Sequence, residues 1–276
     1  MIMKRLFLII SALAVILSAS DQDLTILHLN DTHSHIEPER HGDRIGYGGV
    51  IEQAAYIDSV RCADGKNNVL LLHAGDFSQG SSYFRQLRGD VEVDVINAMK
   101  FDAVCLGNHE FDNGIDELAR RLANLEVPVV CANYDFSATT LADYIKPYVI
   151  LEKAGKKIGI IGLLPDLSSL VDPKISEIIK FQDPYEVAEN YAGQIKAQGC
   201  DLVICLTHLG YDMEDYSDVL LAYNTKNVDL IVGGHSHTRL NKVESVSNLE
   251  GQYVGIVQNG KWGLDFGTLK VKFPKK

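Results

Sequence analysis

The sequence has no CxxC pair, no internal repeat and no low-complexity tract. The missing CxxC pairs speak against a zinc ribbon or a thioredoxin-type site. Five cysteines are present, Cys62, Cys105, Cys131, Cys200 and Cys205. The count is odd, so at least one thiol stays free or pairs between chains. Four lie in or beside apolar strand-like runs and read as buried structural thiols. Beyond residue 20 no apolar run approaches the roughly 20 residues that a bilayer span needs. Basic charge is also short: 26 Lys and Arg face 37 Asp and Glu, a net charge of −11. Such a chain is a poor general binder of nucleic-acid polymers or anionic membranes. If it handles phosphates, something local must reverse the field, and metal ions would do so.

What is present is an ordinary globular composition, 46% hydrophobic and 23% charged over 276 residues. That supports one well-packed domain. The first twenty residues differ. Lys4 and Arg5 precede an apolar run from Leu6 to Leu17, and the small residues Ser18, Ala19 and Ser20 lead into Asp21. This is the layout of a secretory signal peptide, residues 1–20, and predicts a periplasmic or secreted protein over 21–276. No cysteine stands near the cleavage point, which disfavours a bacterial lipoprotein anchor.

Short apolar runs recur at Leu24–Leu29, Val69–Leu72, Ala103–Leu106, Val127–Val130, Lys157–Leu164, Leu202–Leu206 and Leu230–Val232. Helix-period stretches lie between several of them, at Gly49–Val60, Val91–Met99, Ile115–Leu125 and Pro184–Ala197. Strands alternating with helices predict an α/β layered fold. After Asn241 the pattern is strands only, Tyr253–Val257 and Phe266–Phe273, so the sheets should be mixed. The segment from Ser137 to Asp172 has the least regular pattern and reads largely as loops.

Polar motifs follow five of the strands. They are Asn30-Asp31-Thr32-His33, Gly75-Asp76, Gly107-Asn108-His109-Glu110-Phe111-Asp112, Thr207-His208 and Gly233-Gly234-His235-Ser236-His237. Ligands of layered α/β proteins bind beyond the carboxyl ends of strands. Each motif alone has an ordinary explanation, such as surface polarity, a loop, or a helix start with Asp112 as its cap. Five at successive strand ends imply one shared site. Asp, His and Asn together suit a divalent metal of borderline hardness, and the lack of Cys ligands disfavours a purely structural zinc site. Two ions about 3.5–4 Å apart, bridged by one carboxylate, would clamp a phosphoryl group. Among the remaining histidines, His28 and His73 read as satisfied core residues. His35 is placed at the pocket wall and His41 in a rim loop. Arg40 and Arg44 read as solvated charges.

This ordered set resembles the calcineurin-like metallophosphoesterases, most closely the 5′-nucleotidase and UDP-sugar hydrolase family. The resemblance spans most of the chain after residue 20. It implies an α-β-β-α sandwich with mixed sheets and two divalent ions: Zn²⁺, Mn²⁺ or Co²⁺, with Mg²⁺ or Ca²⁺ as further options. Asp31, His33, Asp76 and His237 would hold the first ion. Asp76, Asn108, His208 and His235 would hold the second. His109 would face the phosphate, with Asp112 orienting it. The implied reaction is hydrolysis of phosphate monoesters, nucleoside 5′-monophosphates first, by in-line attack of metal-bound water or hydroxide. The rival reactions are diester or pyrophosphate hydrolysis of cyclic nucleotides or UDP-sugars. From another class, the chain would be a non-catalytic subunit of a two-chain nucleotidase. Many members carry a C-terminal domain that defines the substrate. This chain reads as the catalytic domain alone, with that half on a separate polypeptide, replaced by broad specificity, or traded for another ester.

Overall fold

The computed structural model describes residues 23–273. The expected signal segment, 1–20, lies outside them. Two six-stranded sheets form the centre. The first runs Gly267–Val271, Leu24–Leu29, Val69–Ala74, Ala103–Cys105, Val129–Val130 and Ile145–Lys146. All its pairings are parallel except that of Gly267–Val271 with Leu24–Leu29. The second runs Glu244–Ser247, Tyr253–Val257, Leu230–Val232, Leu202–Thr207, Lys156–Leu163 and Tyr148–Lys153. Its two outer pairings are antiparallel and its inner ones parallel.

The sheets stack face to face because their central strands are apolar on both sides. Every residue of Leu24–Leu29, Val69–Ala74 and Leu202–Thr207 is buried. Side chains alternate across a strand, so each strand feeds two layers. Ile26, Leu70, Leu72 and Ala103 meet Ile160, Ile204, Leu206 and Val232 between the sheets. On the outer side of the first sheet, Leu27, Leu71 and Val104 pack with Ile57, Ile96 and Leu118, from helices Val50–Asp64, Asp90–Met99 and Ile115–Leu122. Outside the second sheet, Ile161, Val203 and Ile231 pack with Ala192, Ile195 and Leu221, from Pro184–Ala197 and Asp218–Asn224. At about 1.5–3 kcal/mol per buried aliphatic side chain, these three apolar clusters dominate the folding energy. The result is the α-β-β-α sandwich with mixed sheets that the sequence predicts.

Several details depart from the sequence reading. Tyr148–Lys153 lies inside the segment read as irregular. It is an edge strand of mostly half-buried residues whose short apolar run, 148–151, the sequence reading passed over. The helix Asp218–Asn224 is a second addition. It is only seven residues long, and Ser217 caps it by accepting from the Leu220 amide at 3.2 Å. Cys105, Cys131, Cys200 and Cys205 are buried as expected, and Cys62 is exposed on a helix surface. Among the described residues no helix is long and apolar enough to cross a membrane.

His28 and His73 lie in the core, and His73 Nε2 meets Thr32 Oγ1 at 3.1 Å, but neither ring is fully satisfied. Each leaves a buried Nδ1 without a partner. His28 fits only because Gly267 opposes it across the strand pair, where any Cβ would overlap the imidazole. Burial lowers the His28 pKa to about 4. The unfolded chain therefore binds a proton that the folded chain refuses between pH 6.5 and about 4. Stability is fully present above the unfolded value and is lost as pH falls through that window. The cost is about 3 kcal/mol at the acid end. His28→Leu should show a shallower loss between about pH 7.5 and 4.5 in urea unfolding; parallel curves for the two proteins would refute the assignment.

Candidate active site

All five strand-end motifs converge at one end of the sandwich. Three leave the first sheet, after Leu29, Ala74 and Cys105, and two leave the second, after Thr207 and Val232. Asp31 and Asp76 are buried at the centre, 0% and 2% exposed. Around Asp31 Oδ1 stand His237 Nε2 at 3.4 Å and His33 and His208 Nε2 at 3.8 Å each. Asp76 Oδ2 lies 3.0 Å from His208 Nε2 and 3.9 Å from His33 Nε2. His33 Nε2 and His237 Nε2 are 3.1 Å apart. Potential ligand atoms group as Asp31, His33 and His237, as Asp76, His208 and His235, and as His33, Asp76 and His109.

The donor atoms fit divalent cations. His208 Nδ1–H donates to the Ala74 carbonyl at 2.7 Å. A carbonyl only accepts, so this bond fixes the ring and leaves Nε2 facing Asp76. A neutral ring there opposes a lone pair to a carboxylate, so a proton or a metal ion must lie between them. Burial works against charge on His208, but Asp76 and Asp31 outweigh it and raise its pKa to about 10. Burial also opposes ionisation of both carboxyls, yet the neighbouring imidazoles, His208 foremost, hold them below the usual carboxylate range. Burial lowers the pKa of His33, and that of His235 to about 4, which keeps both as neutral donors. Asn108 is buried and its Oδ1 has no partner. Oxygen and imidazole donors of this kind suit Zn²⁺, Mn²⁺ or Co²⁺.

Backbone strain accompanies the cluster. Asp31, His33, Asp76, His235 and His237 all have φ between 46° and 73°. The left-handed region costs an L-residue about 1–2 kcal/mol. The loops hold it through cross-links. Asp31 N donates to Gly75 O and His33 N to Asp76 O, both at 3.0 Å. His235 N donates to Asp31 Oδ2 at 3.0 Å. Gly107 must be glycine, because any Cβ would overlap Asp76 Oδ1.

His109 and Asp112 sit nearer solvent, each side chain 31% exposed, with Nδ1 and Oδ2 3.0 Å apart. The Asp112 hydrogen bond raises the His109 pKa, partial burial opposes it, and the Asp76 charge adds to the rise. His33, His109 and His237 line an open cleft together with His35, Lys261 and Trp262. His35 is therefore at the pocket wall as expected. Arg44 is not a solvated charge, since it pairs with both oxygens of Asp265 at 2.5 and 2.6 Å. Arg40 pairs with Glu37 at the exposed rim.

Sequence reasoning missed the supports. Glu110 is fully buried; its Oε2 accepts from Asp76 N at 2.9 Å and Gly107 N at 2.6 Å, and its Oε1 from Ser78 N at 2.9 Å. Arg121 reaches the same knot, donating to Ser78 Oγ at 2.7 Å and to the Glu110 carbonyl. A charged residue in phase with Leu118 and Leu122 was the available clue. Gln258 accepts from Ser236 Oγ at 2.8 Å and Thr238 N at 2.6 Å and donates to Gly234 O, which shapes the last motif. Nothing local marks it. Asp218 accepts from Thr207 Oγ1 at 2.5 Å behind His208.

The comparisons with known proteins agree with this geometry. The calcineurin-like phosphoesterase family matches residues 24–239, and the chain belongs to that family. Among relatives, it is 34% identical to a snake venom 5′-nucleotidase of Naja atra, over 92% of this chain and 51% of the relative. A solved 5′-nucleotidase precursor of Thermus thermophilus superposes with a TM-score of 0.82 at 36% identity, covering 91% of this chain and 52% of that one. The calcineurin-like phosphoesterase YfkN of Bacillus subtilis superposes at 0.76 with 29% identity, covering 92% and 86%. The chain thus spans about half the length of the 5′-nucleotidases it matches.

The cross-links can be tested at two points. Glu110→Gln turns an acceptor into a donor aimed at backbone amides. It should destabilise the fold by about 2–4 kcal/mol in denaturant unfolding; a change under about 0.5 kcal/mol would mean the knot is dispensable. Adding Mn²⁺ or Zn²⁺ to stripped protein should raise its melting temperature. Asp76→Asn should abolish most of that rise, whereas an unaltered response would remove Asp76 from the metal centre.

Proposed function

We propose that the protein is a metal-dependent phosphate monoester hydrolase acting on nucleoside 5′-monophosphates. The observation carrying this reading is the protonatable His109–Asp112 pair beside the ring of Asp31, Asp76, His33, His208, His235 and His237. Asp31, His33, Asp76 and His237 would hold one ion, and Asp76, Asn108, His208 and His235 the other, with Asp76 shared. When bound, two divalent ions would polarise a phosphoryl group and make water nucleophilic near neutral pH.

The chain's own residues do the rest. Asp112 accepts from His109 Nδ1–H, turns Nε2 toward the cleft and favours the imidazolium. His109 then donates to the phosphoryl oxygens as their charge grows along the reaction path. The Ala74 carbonyl and the His235 amide fix His208 and Asp31 so that little reorganises during turnover. Substrate preference rests on the 5′-nucleotidase relatives, of whose length this chain spans about half. A Bacillus subtilis relative named a trifunctional nucleotide phosphoesterase, 31% identical over 92% of this chain, keeps diesters as the second reading. We assign residues 1–20 as a cleaved leader and 21–276 as the catalytic domain, periplasmic or secreted. A separate specificity polypeptide finds no support in the comparisons.

The test is hydrolysis of AMP, a UDP-sugar and bis-p-nitrophenyl phosphate, with and without EDTA. AMP should be fastest and EDTA should stop it; activity indifferent to EDTA would end the metal mechanism. His109→Ala should lower kcat about 10²–10³-fold while metal content stays near wild type. Loss of metal in proportion to activity would instead make His109 a ligand.

A further inference from the structure

The cleft above the ligand cluster has a volume of about 380 Å³. Of the residues lining it, Lys261 is the only Lys or Arg. Its ammonium lies 4.5 Å from the centroid of the Trp262 ring and forms no ion pair with any described residue. Cation–π contact of this kind pins a flexible stem without neutralising its charge. Trp262 is itself held from both ends. Its amide donates to the Asp31 carbonyl at 2.7 Å, with φ at 65°. Its indole stacks on His35, centroids 5.6 Å apart and planes 11° off parallel. The backbone of this loop is thus bonded directly to a metal-ligand residue, and Lys261 rides one residue away. A fixed ammonium on the wall of a cleft whose other cationic candidates are histidines, in a chain of net charge −11, is conspicuous.

We propose that Lys261, held on Trp262, is an anion-binding residue that selects substrates carrying a fully ionised terminal phosphate. This rests on the hydrolase reading above and sharpens its substrate class. Two divalent ions held by Asp31 and Asp76 would leave the floor of the cleft positive. That attracts mono- and dianionic phosphates alike. Lys261 adds a second positive point at the wall. A monoester, with two charges on three free oxygens, engages floor and wall together. A diester, with one charge on two free oxygens and carbon groups on the other two, engages the floor and leaves the ammonium unmet. The Trp262–His35 stack supplies rigidity, so the ammonium loses little freedom on binding.

Trp262 is the only tryptophan of the chain, so its emission reports on this site alone. The experiment titrates inorganic phosphate into metal-loaded full-length protein while following tryptophan fluorescence, for wild type, Lys261→Met and Lys261→Arg. It also measures KM for p-nitrophenyl phosphate and for bis-p-nitrophenyl phosphate. Phosphate should change the wild-type emission. The midpoint should rise about tenfold in Lys261→Met, the scale of one charge-assisted hydrogen bond. Lys261→Arg, which keeps the charge, should return it to within about threefold. KM for the monoester should rise by the same factor, more than kcat falls, while KM for the diester moves less than about twofold. An emission that ignores phosphate overturns the proposal. So does a Lys261→Met midpoint equal to wild type, or equal KM shifts for both esters. If neither ester is hydrolysed but the phosphate midpoint still depends on Lys261, the subsite stands and the hydrolase reading falls.

Discussion

Two buried carboxylates, Asp31 and Asp76, set the terms for the rest of this molecule. Both are almost fully removed from water, and imidazoles surround them within ligand reach. An uncompensated pair of this kind would cost several kcal/mol per charge. Burial holds two of the surrounding rings, His33 and His235, neutral. They are therefore better donors to a cation than counter-ions to an acid. His208, bonded through Nδ1 to a backbone carbonyl, is raised enough to carry a proton in place of a metal. The chemistry of the site and the electrostatic instability of its centre are one fact.

The architecture answers that instability by joining two sheets at one end. Asn30, at the end of a first-sheet strand, donates to Gly260 O at 2.7 Å and accepts from Asn259 N at 2.9 Å. His208, after a second-sheet strand, anchors on Ala74 of the first. Glu110 and Arg121 tie the Gly75-Asp76 turn to the Gly107-Asn108 turn. Asp31, His33, Asp76, His235 and His237 accept left-handed backbone geometry within this frame. Such strain persists only where surrounding bonds over-determine the chain. The same frame places the Trp262 amide on Asp31, which is how a loop near the C-terminal strands comes to form a wall of the cleft.

Much of this was legible in the sequence. Central strands such as Leu24–Leu29 and Leu202–Thr207 are apolar on both faces, so their runs and the polar residues ending them stand out. That contrast located Asp31, His33, Asp76, Asn108, His109, Asp112, His208, His235 and His237, and the structure brings all nine to one place. Edge strands were harder: Glu244–Ser247 alternates half-buried and exposed residues and carries no apolar run. The supports were harder still. Gln258 and Arg121 act through contacts with residues 11 to 43 positions away, and a polar residue's distant partner leaves no local trace. Arg44 looked like a solvated charge for the same reason, its partner Asp265 lying 221 residues away.

The most direct test of the proposed two-metal site is a calorimetric metal titration of stripped protein near neutral pH, repeated in buffers of different ionisation enthalpy. Filling the site must strip the His208 proton, since that ring is raised to about 10 and both its nitrogens cannot stay protonated beside a metal. Two ions should bind per chain, with about one proton released. A single ion per chain, or heats that do not change with the buffer, would contradict the account.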